Sequence, residues 1–276
     1  MPSSTPANEY RPRHDTLLSA LHGLALTTPD NDFLVEDIGQ SLTYRQSYVL
    51  ASTIIPPRLL RLFPSLSSPR GRKVVIISPN NALLPLTLWA LWFMSIRVVP
   101  ISVKSEQSLW AAMISTVDPD AIIISNSLKD IAAKHLHLSA GLEIGYLENI
   151  IPVQFARRVA PSRVSDLIPS LHHWLSYATK DRSNSKLSAP PLVGGDTPVI
   201  SLFTSSAVDA TTIKSVTYTH TMLVHSASRM VEMLGGSSYG NRPVRHLGWL
   251  SLSHCFEFCI SLLWVRSYTQ KVVVLT

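Results

Sequence analysis

The chain has 276 residues, of which 46% are hydrophobic and only 15% are charged, and its mean hydropathy is +0.19. This composition is typical of a globular domain with a large core, and it excludes an intrinsically disordered chain. The net charge of +6 comes from 24 basic and 18 acidic residues scattered along the chain, and the absence of a basic stripe with interleaved aromatic residues disfavours nucleic-acid binding.

The N-terminal segment combines a loose arm with a first helix. Residues 1–14 are polar, contain three prolines and show no periodicity, so we expect an arm without regular structure. The first ten residues also lack the apolar core of a signal peptide, which favours a cytoplasmic protein. Helical spacing of apolar residues follows over 15–26, with Asp15 as the expected N-cap.

The next signals are a short strand and a helix start. Phe33–Val35 is apolar and predicts a strand, and Thr43 and Gln46 have the spacing of a capping box. Residues 56–72 are rich in proline, serine and arginine and predict a loop.

Three strand–helix units follow one another in the middle of the chain. Strands are predicted at 73–78, 97–102 and 121–125, and helices at 80–93 and 110–117. Such repeats imply a parallel sheet with right-handed crossovers and helices on both faces.

A membrane span is a competing interpretation of the uncharged stretch 74–96. Ser78–Asn81 interrupts this stretch and Pro85 follows, so strand, turn and buried helix fit better than a span.

The segment 128–176 has a weaker strand–helix pattern and contains several histidines. His135 and His137, and His172 and His173, have a spacing that metal ligands can have. Because no cysteine or carboxylate cluster accompanies them at ligand spacing, solvated helical histidines are the favoured interpretation.

Two cysteines, Cys255 and Cys259, are the only ones in the chain, and His254 is their neighbour. Their number excludes a disulfide framework, and buried thiols are favoured over a metal site.

The main functional clue comes after a long polar loop over 177–198. A strand is predicted at Val199–Phe203, followed by the hydroxyl residues Thr204, Ser205 and Ser206 and, further on, by Lys214. Backbone N–H groups, hydroxyls and an ammonium group are suited to binding phosphate. An ordinary surface loop rich in serine and threonine is the alternative.

The order of Thr204, Ser205, Lys214 and Val216, with His220 at the start of a predicted helix to about Leu234, resembles the phosphate loop of the AMP-binding, adenylate-forming superfamily. Acyl-CoA synthetases and peptide-synthetase adenylation domains belong to that superfamily, and its loop has the pattern T-S-G-[ST]-T-G-x-P-K-G-V with T-H a few residues on. Ser206 and Asp209 stand where the family has glycines, which disfavours tight nucleotide binding because glycines let the backbone approach phosphate closely.

The resemblance extends in order from Thr43 to Leu275. Residues 73–102 are similar to the family segments V-A-I-L-x-P-N and G-A-x-V-P-L, and His254 matches the histidine of P-L-x-H-x-x-G. The implied fold is α/β, a layered parallel-sheet domain corresponding to the N-terminal part of an adenylate-forming enzyme, incomplete over 15–276. We expect the last strand, 271–275, to lie at an unpaired parallel edge of the sheet.

The resemblance implies that ATP with Mg²⁺ and a carboxylic acid are ligands. Thr204, Ser205, Ser206 and Lys214 would bind the phosphates, and His254 would border the acid. The family's later motifs, Y-G-x-T-E among them, do not occur in the chain, so a second polypeptide carrying them is an expected partner. The alternative is a non-catalytic remnant or an interaction module.

Overall fold

The computed structural model describes most of the chain. The residues described are 16–37, 40–67, 71–136, 142–150, 171–172, 175–176, 187–204, 213–233, 245–248, 253 and 271–274. They form a mixed α/β fold with a mostly parallel central sheet, which confirms the predicted fold class.

The central sheet has six strands in the order β6-β5-β3-β4-β7-β8. Their bounds are β3 Lys73–Ile77, β4 Arg97–Ile101, β5 Ala121–Ile124, β6 Glu143–Tyr146, β7 Pro198–Phe203 and β8 Ser215–Thr219. All neighbouring pairs are parallel except β7 and β8, which form an antiparallel hairpin at one edge. The three predicted strands and the two predicted helices between them are confirmed, and β6 was not predicted.

A smaller sheet has four strands in the order β2-β1-β10-β9. Their bounds are β1 Asp32–Asp37, β2 Gln40–Thr43, β9 Arg245–Gly248 and β10 Lys271–Val274. Strand β10 runs parallel to both β1 and β9 and therefore lies inside this sheet. The expectation that the last strand lies at an unpaired edge of the main sheet is wrong, because β1 supplies a partner from the start of the chain.

Seven α-helices of six or more residues surround these sheets in the described residues. Their bounds are α1 Leu17–Thr27, α2 Tyr44–Val49, α3 Ile55–Leu62, α4 Leu83–Phe93, α5 Trp110–Val117, α6 Lys129–His135 and α7 His220–Met233, and a π-helical turn, Leu50–Ile54, joins α2 to α3.

The alternation of buried residues along each central strand gives the sheet two cores. Val74 and Ile76 of β3 belong to the core that also contains residues of α1, α4 and α7, whereas Val75 and Ile77 belong to the core beneath α5 and α6. These cores are called the α4 face and the α5 face below. Helix α4 is buried along almost its whole length, and Trp92 Nε1–H donates a hydrogen bond of 2.9 Å to the Val199 carbonyl, which fixes β7 against it.

The starts of three helices differ in how well the sequence predicts them. Thr16, and not Asp15, caps α1, since its Oγ1 accepts a hydrogen bond from the Ser19 N–H at 3.1 Å. The capping box of Thr43 and Gln46 is confirmed at α2. The loop predicted over 56–72 instead contains most of α3, because its two prolines occupy the first turn, where a missing N–H costs nothing.

Candidate phosphate-binding site

The predicted phosphate loop connects the two strands of the β7–β8 hairpin. At its neck the Thr204 N–H donates a hydrogen bond of 2.9 Å to the Lys214 carbonyl. Thr204 is half-buried and Lys214 is exposed. Ser205 and Ser206, together with Asp209, lie outside the described residues.

Thr204 and Lys214 point to the same face of the sheet. Leu202 and Val216 are register partners two residues before the neck, and Leu202 belongs to the core of the α4 face. Directly opposed residues of an antiparallel pair share a face, and so do residues two apart in one strand. The Thr204 hydroxyl and the Lys214 ammonium group therefore leave neighbouring backbones on the α4 face, where β7 ends.

Hydroxyl groups on the opposite face stabilise the register of the hairpin. Ser201 Oγ and Thr217 Oγ1 lie 2.7 Å apart as opposed residues of β7 and β8. Phe203 and Ile213 pack against the core of the α5 face close to the neck. The neck of the loop is thus fixed from both sides of the sheet.

His220, which matches the histidine of the family motif, lies at the other end of the hairpin. It follows Thr219, which is the partner of Pro198 at the start of β7, so the length of β8 separates it from Lys214. At about 3.4 Å per residue, this separation exceeds the reach of any direct contact. His220 is buried, its Nδ1 accepts a hydrogen bond from the Leu17 N–H at 3.4 Å, and desolvation lowers its pKa to about 4. It anchors α1 to α7 and is no phosphate ligand.

The N-terminus of α7 already uses its backbone donors. The N–H groups of His220 and Thr221 donate to the carbonyls of Thr197 and Gly195, and the Met222 N–H donates to Thr219 Oγ1. Helix N-termini commonly bind phosphate through such groups. Because these three N–H groups are engaged here, they are not available to a phosphate at the start of α7.

One feature that was not predicted from the sequence lies at the carboxyl ends of the parallel strands. A hydroxyl residue directly follows four of them: Ser125 after β5, Ser78 after β3, Ser102 after β4 and Thr204 after β7. Ligands of open α/β sheets commonly bind at this edge. The signal was visible in the sequence, since each of these residues ends an apolar run.

The structure describes some of the histidines considered as metal ligands and neither of the two cysteines. His172 Nε2 lies 2.6 Å from the Ser41 carbonyl oxygen and its Nδ1 lies 3.5 Å from Gln46 Nε2, so this half-buried histidine of a helical segment joins neighbouring parts of the chain. In the part of the chain that the structure describes, no group of histidine, cysteine and carboxylate side chains is placed to hold a metal ion. His254, Cys255 and Cys259 lie outside that part.

The stretch considered as a membrane span forms β3 and α4. No helix within the described ranges is long and apolar enough to cross a membrane.

A family model described as "AMP-binding enzyme" matches residues 24–276 of the chain. Hispidin synthase from Neonothopanus nambi is 28% identical over 185 residues, which cover 66% of this chain and 10% of that protein.

Solved structures with similar folds are larger than this chain. A protein from Rhodopseudomonas palustris, described as a long-chain-fatty-acid CoA ligase, has a TM-score of 0.67 at 18% identity, with 94% of this chain and 57% of that one covered. VinN in complex with 3-methylaspartate has a TM-score of 0.69 at 16% identity, with 94% and 61% covered. A fatty acyl-adenylate ligase from L. pneumophila, in complex with acyl adenylate and pyrophosphate, has a TM-score of 0.65 at 12% identity, with 96% and 40% covered. The chain thus spans about three fifths or less of the length of these structures.

Proposed function

Because this chain belongs to the AMP-binding enzyme family, we propose that it is the phosphate-binding part of an enzyme that adenylates a carboxylic acid with ATP. The observation that carries this proposal is the neck of the β7–β8 loop, where a hydroxyl and an ammonium group leave neighbouring strands on one face at the carboxyl edge of the sheet. Both are donors that a polyphosphate requires, and they lie where α/β sheets commonly bind ligands.

Each predicted residue has a role in this proposal. Lys214 supplies the positive charge for the phosphates, and Thr204 supplies a hydroxyl donor together with Ser205 and Ser206 of the loop. His254 borders the carboxylic acid. Mg²⁺, when bound with ATP, neutralises part of the phosphate charge.

The reaction is the transfer of a nucleotidyl group. A carboxylate oxygen forms a bond to the α-phosphorus of ATP, and the bond between that phosphorus and the pyrophosphate oxygen breaks, so the products are an acyl-adenylate and pyrophosphate. The residues of this chain contribute positioning and charge stabilisation, which are the main sources of rate in such transfers. The groups that contact adenine and ribose would come from a polypeptide that carries the family's later motifs.

A non-catalytic interaction module is the second candidate. The observation that favours it is the composition of the loop, where Asp209 and Ser206 replace glycines and place a negative charge and Cβ atoms near the phosphates. Nucleotide affinity distinguishes the two candidates.

Titration of MgATP into the parent chain and into Lys214→Ala, followed by calorimetry, tests the proposal. A charge about 4 Å from a phosphate contributes on the order of a few kcal/mol before screening, so we expect Lys214→Ala to weaken binding roughly a hundredfold. Asp209→Gly should strengthen binding because it removes repulsion and restores backbone freedom.

The matched control is Lys134→Ala, which removes an exposed lysine from α6 at the far side of the sheet. It should bind MgATP like the parent. Equal affinity of the parent, Lys214→Ala and Asp209→Gly would show that the hairpin loop is not a phosphate loop, and the interaction module would then be the better interpretation.

A further inference from the structure

The hydroxyl residues at the carboxyl edge of the central sheet are aligned in one row. Ile77 of β3 is the register partner of both Ile101 of β4 and Ile124 of β5, which sets the following residues Ser78, Ser102 and Ser125 side by side. Val98 of β4 is the partner of Ile200 of β7. Ser102 and Thr204 each lie four residues beyond this pair, so the same register places them side by side. Thr204 is in turn paired with Lys214.

All members of this row lie on the α4 face. Ile76 and Ile123, two residues before Ser78 and Ser125, belong to the core of that face. Val98, four residues before Ser102, belongs to the same core. Adjacent strands are about 4.8 Å apart, so Ser102, Thr204 and Lys214 cover a length of about 10 Å. A triphosphate chain can contact all three positions.

The row changes from buried to open along its length. Ser125 and Ser78 are buried, and their hydroxyls bond to Glu148 and to the Pro79 carbonyl. Ser102 is half-buried and Lys214 is exposed. Only the end of the row next to the candidate loop is therefore accessible to a ligand.

Ser102 also holds the backbone of a second lysine at the accessible end. Its Oγ accepts a hydrogen bond of 3.1 Å from the Lys104 N–H, which leaves the hydroxyl hydrogen available as a donor and folds the chain back beside the strand end. Lys104 is exposed. Glu106 on the same segment is exposed and accepts a hydrogen bond from Ser108 Oγ, so one carboxylate opposes the charge of Lys104.

We propose that Ser102 and Lys104 belong to the phosphate site, and that they bind the polyphosphate tail of the nucleotide from the β4 side while Thr204 and Lys214 bind it from the β7–β8 side. This inference rests on the proposed function, because it assigns the ligand of the same site. It gives the site two donors that do not depend on the glycines missing from the loop: a hydroxyl at a fixed strand end and a second ammonium group.

Calorimetric titration with magnesium tripolyphosphate and with MgATP tests this assignment. A hydrogen bond to a charged group is typically worth a factor of about ten or more in affinity, so Ser102→Ala should weaken the binding of both ligands about tenfold. Ser102→Thr keeps the hydroxyl and should bind like the parent. Lys104→Ala should weaken binding about three- to tenfold and reduce its dependence on salt concentration, as expected of an exposed cation.

Lys134→Ala is the control for removal of one exposed charge, and thermal unfolding checks that each variant is folded. Lys104 lies on the surface, so its variant keeps the assignment testable if Ser102→Ala fails to fold. Parent-like binding of tripolyphosphate by Ser102→Ala and Lys104→Ala, or no binding of tripolyphosphate by the parent, would overturn the inference.

The two ligands separate this inference from the proposed function. Tripolyphosphate binding that depends on Ser102, in a chain that does not bind MgATP, would support the assignment of Ser102 to a phosphate site and contradict the nucleotide function. Loss of MgATP binding in Lys214→Ala, with full binding in Ser102→Ala and Lys104→Ala, would do the reverse.

Discussion

His220 couples the stability of the chain to pH. Its ring is buried, its Nδ1 accepts the hydrogen bond from Leu17, and desolvation lowers its pKa from the ordinary value of 6.5 to about 4. Between these two values the unfolded chain binds a proton that the folded chain does not, so the free energy of unfolding must fall as the pH decreases from 6.5 to 4. The loss attributable to His220 is on the order of 3 kcal/mol. Urea unfolding at a series of pH values measures it.

A substitution that keeps the acceptor but removes the titration isolates this effect. In His220→Asn the side-chain oxygen can accept the bond from Leu17, so we expect a flatter decline of stability between pH 6.5 and 4 than in the parent. The exposed His225 of the same helix is the matched control, and His225→Asn should keep the parent profile. Identical profiles for the parent and His220→Asn would contradict the assignment.

At the candidate site, the sequence predicts the proximity of some residues but not of others. Thr204 and Lys214 follow from a strand, a hydroxyl loop and a lysine, and the structure brings them together. His220 has the same place in the motif but lies at the opposite end of β8, because the loop closes an antiparallel hairpin and the chain must return along the strand. The position of Ser102 beside Thr204 was not predicted, since it arises from pairing between strands that are far apart in the chain.

At the scale of the elements, the edge strand β6 depends on a glycine. A Cβ atom added to Gly145 would lie 2.9 Å from Phe63 Cε1 and closer still to the ring tip, and Phe63 is fully buried after α3. Gly145→Ala should therefore lower the free energy of unfolding by about 1–3 kcal/mol, the usual cost of overpacking a core. Chemical denaturation of the variant measures this loss.

A double substitution shows whether the clash is the cause. Phe63→Leu shortens the side chain, so Gly145→Ala should cost less in that background than in the parent. Gly194→Ala is the control, because its Cβ would meet only Thr197 Oγ1, at the ordinary contact distance of 3.7 Å. Equal costs in both backgrounds would exclude the Phe63 contact as the reason.

Element prediction succeeded where the sequence pattern was continuous. The β-branched runs of β3, β4 and β5 and the helix Trp110–Val117 are where the sequence places them. The pattern of β6 is only Glu143–Tyr146, with a glycine inside it, and α6 is one short helix of seven residues, so neither provides enough periodicity for prediction. For α3, the prolines indicate a loop in the sequence, although their position in a first turn is compatible with a helix.

At the scale of the whole molecule, sequence patterns could not predict how the strands of the smaller sheet pair. Leu34 of β1 is the register partner of Val272 of β10, so the sheet joins the two ends of the described chain. Propensity indicates that both segments are strands, but it does not say which strand pairs with which. The prediction placed β10 at the edge of the main sheet for that reason, whereas the structure makes it the link between β1 and β9.

The last prediction concerns catalysis by the 276-residue polypeptide itself. It covers only 57% of the ligase from Rhodopseudomonas palustris and 61% of VinN, and it lacks the motifs that contact adenine and ribose in the resemblance described above. Transition-state stabilisation requires several positioned groups that act as a unit, and loss of one electrostatic donor alone costs about a hundredfold or more in rate. We therefore expect the purified polypeptide to bind MgATP without catalysing exchange of labelled pyrophosphate into ATP, whichever fatty, aryl or amino acid is supplied. Pyrophosphate exchange that exceeds a blank without enzyme and disappears in Lys214→Ala would contradict this prediction. It would show that the residues of this polypeptide suffice for nucleotidyl transfer.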